Sequence, residues 1–335
     1  MHNSPTQKHQ AGYGLIEWMI AITIGLFLIA GLSAVFINSR VGAQSTNQMG
    51  ELQETGRVAL QLLTQDLRQV GFWGLATANL VTRYNAVKSN EVIVPNLASS
   101  KDCLDDLGNG SFPKSSVQYR QFWSFELPTN SSLSYMHCLI DNDANTQLTK
   151  ETDVISIKRL LGQSISVPSA GLTTATAPFF FQANNTKAMI FKGNAAIPSV
   201  PTLNDSETWQ FLHHVYYLDR QLSTNTPNLR RLTLNTSGMT LEPVLLSGIE
   251  NMQIQYIVEN ATGKTSFQTN AQPNDKVIGA QVFVLVRALD QSHGYKNNNS
   301  YQLGDKTVQV NDNYRRLLVS TSVTFNNPVW LSQGI

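Results

Sequence analysis

A chain of 335 residues is long enough for one large domain or two small ones around a buried core. Charged residues make up 14%, well under the usual quarter, while Asn, Ser, Thr and Gln are abundant, so the surface is polar but not a polyelectrolyte. A formal net charge of +1, with no Lys/Arg cluster longer than a pair, leaves no electrostatic footprint for a nucleic acid.

The chain opens with a polar leader, residues 1–10, in which Lys8 is the only fully charged side chain. Behind it, residues 15–37 are apolar with Glu17 as their single charge, and about twenty such residues suffice to cross a bilayer core. A charge at the centre of such a helix costs roughly 2.5–3.5 kcal/mol on insertion scales, and less near an end, so a carboxylate kept there usually has a job. A removable secretory signal has a shorter apolar region, about 7–15 residues, and a small-residue cleavage site. Val41-Gly42-Ala43 could serve as that site, but the apolar region is too long and the positive region thin. A plain signal-anchor is the other alternative, and the leader gives only weak positive-inside evidence for its orientation.

From Arg40 to about Val70 the pattern is helical and amphipathic. Met49, Leu52, Ala59, Leu60, Leu63, Leu67 and Val70 recur mostly at three- and four-residue steps. Gly71 ends it as a C-terminal glycine stop. The apolar and amphipathic stretches thus read as one helix of about 80 Å, with weak points at Gly25, Gly31, Gly42, Gly50 and Gly56. Only its second half can pack on a soluble head.

Beyond Leu75, residues 92–95, 117–125, 153–160, 188–192, 211–218, 229–234, 250–258, 277–288 and 315–325 show strand-type alternation. Residues 100–116, 141–150, 193–208, 259–276 and 291–313 carry turn formers and read as loops. A long helix followed by many antiparallel-type strands predicts an α+β fold, the helix laid across a sheet. Cys103 and Cys138 both lie beyond the apolar segment, and in an oxidising compartment a disulfide between them is the default. It would contribute about 3–4 kcal/mol on chain-entropy grounds, the alternative being two unpaired buried thiols.

Other constellations are weaker. Asp141, Asp143 and Asn145 resemble the start of a calcium loop, but Thr146 and Thr152 occupy the Gly and Glu positions, which favours a solvated turn and no metal. Gly263-Lys264-Thr265 imitates the end of a phosphate loop, but Val258 stands where its first Gly belongs. His213 and His214 point to opposite faces of a strand, poor geometry for one metal. Arg315-Arg316 would pair with acidic groups or cover a sheet edge. No Gly-x-Ser-x-Gly or His-Glu-x-x-His motif occurs, no catalytic set emerges, and no cofactor is expected.

The run Gly12-Tyr13-Gly14-Leu15-Ile16-Glu17, followed by about twenty apolar residues, resembles the class III signal of type IV prepilins. Further on, Gly56-Arg57-Val58-Ala59 with Asp66-Leu67-Arg68 and Gly71-Phe72 resembles the helix end of PilW-type minor pilins and the related J-type pseudopilins. Val215-Tyr216-Tyr217-Leu218, Asn228-Leu229-Arg230-Arg231, Leu245–Glu250 with Ile254-Gln255-Tyr256, Val282–Arg287 and Tyr314–Leu317 through Thr324–Asn327 are similar to that family's strands. Residues 76–210 carry little of the likeness. Tyr13 stands where Phe is usual, and Gly14 and Trp18 depart from the major-pilin pattern.

The resemblance implies a type IV pilin-like fold: residues 1–12 a leader, 13–37 a transmembrane and assembly helix, 38–74 its amphipathic continuation, and 75–335 a periplasmic β-rich head. It implies cleavage by a prepilin peptidase between Gly12 and Tyr13, N-methylation of Tyr13, and pairing of Glu17 with a neighbouring subunit's amine. The implied partners are the peptidase, other minor pilins, the major pilin, the inner-membrane assembly platform and a tip adhesin. The implied place is the inner membrane and then the pilus. Three rival readings stay open: a J-type pseudopilin of type II secretion, a membrane-anchored periplasmic enzyme, and a ligand-binding tip adhesin.

Overall fold

The computed structural model describes residues 12, 14–83, 85–117, 119–129, 136, 138–139, 144–174, 176–200, 203–260, 262–270 and 275–330. Two compact units emerge, Met1–Gly50 and Glu51–Ile335. One helix, α1 (Leu15–Arg68, 54 residues), begins in the first and ends in the second. The five glycines expected as weak points do not break it.

Within the second unit the buried non-polar positions of α1 are Leu52, Gly56, Ala59, Leu63 and Leu67, a continuous stripe at three- and four-residue steps, with Asp66 buried beside it. Met49, read from the sequence as part of that stripe, is exposed. Gly56 completes the stripe by having no side chain. A Cβ there would lie 2.9 Å from Val319 Cγ2 and 3.3 Å from Val286 Cγ2, so the helix packs closely on the strands at this point. The helix ends as the glycine signal predicts. Gln69 N and Val70 N donate to the carbonyls three residues back, and Gly71 adopts φ +80°. A Cβ at Gly71 would also meet the Asn327 carbonyl oxygen at 2.5 Å, so both backbone angle and space demand glycine. A short helix follows, α2 (Ala78–Thr82), with Thr77 Oγ1 accepting from Leu80 N at 3.3 Å.

Ten strands form the first sheet: β1 (Val92–Ile93), β2 (Phe122–Glu126), β3 (Thr146–Leu148), β4 (Asp153–Leu160), β5 (Phe179–Ala183), β6 (Ala188–Lys192), β7 (Glu207–Gln221), β8 (Thr226–Asn235), β9 (Gly238–Leu241) and β10 (Leu246–Ser247). The fifteen-residue β7 is its spine. On one side it pairs β5 up to Phe211 and then β8 from His214; on the other it pairs β4 up to Tyr216 and then β3 from Asp219. All pairings are antiparallel except β1 with β6. A second sheet has the order β12 (Thr265–Gln268), β11 (Ile249–Glu259), β13 (Lys276–Arg287) and β16 (Arg316–Trp330), all antiparallel. The hairpin β14 (Ser300–Leu303) and β15 (Lys306–Gln309) stands beside them.

Every stretch read as strand-like contains a strand, so the α+β expectation holds. Two physical causes account for five of the missed strands. Phe179-Phe180-Phe181 shows no alternation because both faces are covered: Phe179 and Phe181 pack with Trp73 and Phe211, while Phe180 packs with Met189, Phe191 and Leu203. β3, β12, β14 and β15 fall in stretches read as loops, because polar hairpin strands carry turn-forming residues and little apolar signal.

The main core lies where α1, β11 and β13 meet, from Leu52 and Leu63 to Ile254, Val282 and Val284. Buried bonds fasten the sheets together: Ser124 N and Oγ lie 2.8 and 3.0 Å from Tyr256 Oη, and Ile254 N donates to Asp153 Oδ2 at 2.6 Å.

Candidate functional site

The N-terminal end of α1 is where the sequence puts the chemistry. Glu17 occupies the third position of the helix, and its Oε2 accepts from the amide of Gly14 at 3.0 Å. That is half of a capping box, since the glycine at the cap has no side chain to return the bond. Trp18 N closes the first turn on Gly14 O at 3.3 Å. Tyr13 lies outside the described residues, so the Gly12–Tyr13 bond has no described geometry. Along residues 15–37 the large apolar side chains are exposed, with Leu15 at 78% and Phe27 at 81%, so this segment has no cover of its own. The Thr23 hydroxyl is satisfied inside the helix, donating to Met19 O and Ile20 O. Length and composition suffice to cross a bilayer.

At the other end of the helix a buried polar cluster locks α1 to the head. Asp66 Oδ1 accepts from Arg159 Nη2 at 2.5 Å and Nε at 3.2 Å. Its Oδ2 accepts from His214 Nδ1 at 2.5 Å and from the Tyr216 hydroxyl at 2.7 Å. Arg159 also donates to Gln69 and to Leu160 O. The web continues outward: Arg231 donates to Tyr216 Oη and to Glu242, which Thr233 also reaches. Burial pushes the Asp66 carboxyl up, but the His214 hydrogen bond and charge, with Arg159 and Tyr216, outweigh it and hold the carboxyl well below the usual range. Burial and the Asp66 charge push the Tyr216 phenol up.

The opposite face of β7 carries a second chain that tests the enzyme reading. Ser111 Oγ lies 2.6 Å from Asp102 Oδ1 and 2.8 Å from His213 Nδ1, and His213 Nε2 lies 3.0 Å from Ser156 Oγ. These are the residue types of a nucleophilic set, but the wiring differs. As a carboxylate, Asp102 only accepts, so Ser111 must donate its proton there. His213 Nδ1–H then donates to Ser111 Oγ, leaving Nε2 to accept from Ser156. The imidazole therefore gives a hydrogen bond to the serine and takes no proton from it, the reverse of a general base. Ser111 and His213 are both fully buried. Burial, then the charges of Lys158 and His214, push the His213 imidazole well down. Lys158 is itself lowered to about 8 by burial, partly offset by Asp105 and Asp102. The expectation that the two histidines face opposite ways is met, with separate partners for each.

The loop over this cluster is tied by the Cys103–Cys138 disulfide, Cα to Cα 4.9 Å. Gly110 belongs to the same knot: a Cβ there would fall on Asp102 Oδ2 at 1.9 Å. Arg316 pairs with Glu250 and Asp312, whereas Arg315 bonds Ser292 Oγ and lies over the Tyr295 ring. Gly263-Lys264-Thr265 follows an Asn260-centred turn. Asp141 and Asp143 lie outside the described residues. Among the described residues no group of three or more His, Cys, Asp or Glu is placed to hold a metal. The sequence could place His214 and Tyr216 on one face, but not Asp66 across from them.

Comparison with known families gives two matches. Residues 7–33 match the prokaryotic N-terminal methylation motif, and residues 215–327 match the family described as Type IV Pilus-assembly protein W. Neither the curated proteins nor the solved structures compared with the chain give a match. The second matched span starts inside β7, so it takes in Tyr216 and Arg231 of the web around Asp66.

Proposed function

We infer, from the premise that this is a PilW-type minor pilin with a prepilin signal, that the chain is trimmed by a prepilin peptidase between Gly12 and Tyr13 and enters a tip complex that primes pilus assembly. The methylation-motif match over residues 7–33, on a helix whose apolar half is bare, carries this reading. Residues 1–12 are the removable leader, 13–37 the membrane and assembly helix, 38–74 its continuation and 75–335 a periplasmic head. Partners are the peptidase, other minor pilins, the major pilin, the assembly platform and a tip adhesin. The chain resides in the inner membrane until it joins the pilus.

Glu17 then has two successive partners. In the single chain its carboxylate is held by the Gly14 amide. In a bundle of stems it neutralises the N-terminal amine of a neighbouring subunit. Apolar helices slide along one another easily, and one buried charge pair fixes their stagger.

Substituting Glu17→Val tests this in cells lacking the native copy. The prediction is a chain that is still cleaved at Tyr13 and still membrane-bound but absent from sheared pili. Normal incorporation of the variant would contradict the pairing role.

A further inference from the structure

The second sheet has two edges of unequal character. β12 has four residues, whereas β16 has fifteen and pairs only β13. Among the described residues no strand pairs the other side of β16. After Arg316 that strand contains no charged residue, and its one proline, Pro328, lies near the far end. Its register with β13 runs without a break from Arg316 to Thr324; the irregularity comes later, before Val329. Natural edges are kept from pairing by shortness, charge, proline or bulges, and residues 317–324 have none of these. Elsewhere the chain uses them. β1 and β10 have two residues each, β9 has four, and β2 ends on Glu126. Ser320, Ser322 and Thr324 are exposed along the strand, while Val319 closes over Gly56.

We propose that residues 317–324 form a pairing site for an extended strand from the head of another pilin subunit. This rests on the minor-pilin reading. The edge is uncharged and rich in β-branched residues, so it suits a neutral strand and offers a charged peptide nothing. Main-chain hydrogen bonds supply the affinity, as in other strand additions. The ladder can be weak in solution, because stems bundled in one membrane hold the heads at high effective concentration. The edge is also tied to the assembly element itself, since its Val319 packs on Gly56 of α1.

The test places a photo-crosslinking residue at Ser320 or Ser322 of the full-length chain in cells, with Thr265 on the opposite edge as control. The expected result is light-dependent adducts with another pilin-class subunit, identified by mass spectrometry, from 320 and 322 only. The double variant Ser320→Lys/Ser322→Lys changes exposed side chains, so it should keep its melting temperature while its incorporation into pili drops at least tenfold. Equal adducts from Thr265, or normal incorporation of the double variant, overturn the proposal. Reading the N-terminus of the same samples separates the failures. A chain starting at Tyr13 with a dispensable edge defeats the pairing alone, whereas a chain still starting at Met1 defeats the minor-pilin reading beneath it.

Discussion

Asp66 is the single residue on which the head's grip on the helix depends most. Four donors from β4 and β7 converge on its carboxylate. Substituting Asp66→Ala leaves the buried Arg159 guanidinium without its counter-charge, and should cost about 3–5 kcal/mol in urea unfolding of the intact chain. Because the folded carboxyl is held well below its unfolded value of about 4, its contribution is full only above that value and is lost progressively as pH falls from there toward the depressed folded value. Asp153 behaves in the opposite sense. Burial, with help from Glu126 and Asp305, raises it to about 7 against the Ile254 amide and Lys306. The folded state therefore prefers it protonated, and its ionisation weakens the head as pH rises from about 4 through 7. Asp153→Asn should raise the melting temperature by about 3–6 °C at pH 8 and change it little at or below about pH 4. An equal effect at both pH values would show that ionisation of Asp153 is not the cause. Little of this was legible beforehand. Period-two alternation separated His213 from His214, but Asp66 and His214 are 148 residues apart and nothing local joins them.

At the scale of elements, α1 was the most legible feature, because the apolar run, the three-and-four spacing and the terminal glycine all report on local geometry. Gly56 reads as a weak point from local propensity alone. In an isolated helix glycine costs about 1 kcal/mol, whereas here it makes the crossing with β13 and β16 possible. Gly56→Leu should therefore destabilise the head by about 1–3 kcal/mol despite better helix propensity, measurable by thermal unfolding. Gly71→Ala should cost at least as much, since φ +80° and the Asn327 carbonyl both exclude a Cβ. The strands divide by burial. β7 and β13 stand out through β-branched and aromatic runs, while β5 is hidden because it is covered on both faces, and β12, β14 and β15 because they are four residues long and mostly polar. The branching of β7 between four partners had no sequence signal, since pairing is a property of the whole sheet.

For the whole molecule, the stem lacks cover for its apolar side chains, and the head is closed by a disulfide over a buried polar chain. Reduction of Cys103–Cys138 should lower unfolding stability by about 3–4 kcal/mol on chain-entropy grounds and open residues 102–121 to amide exchange first. The two family matches fall on the methylation-motif region and on the span from β7 into β16, and residues 76–210 between them carry Cys103, Cys138 and strands β1 to β6. The bare apolar half of α1 is proposed above as a processed assembly element. That role is tested most directly by the intact mass and N-terminal sequence of the membrane-extracted protein, with and without its prepilin peptidase. A peptidase-dependent start at N-methylated Tyr13 is the predicted result. A chain that still starts at Met1, or one that starts after Ala43, would contradict it.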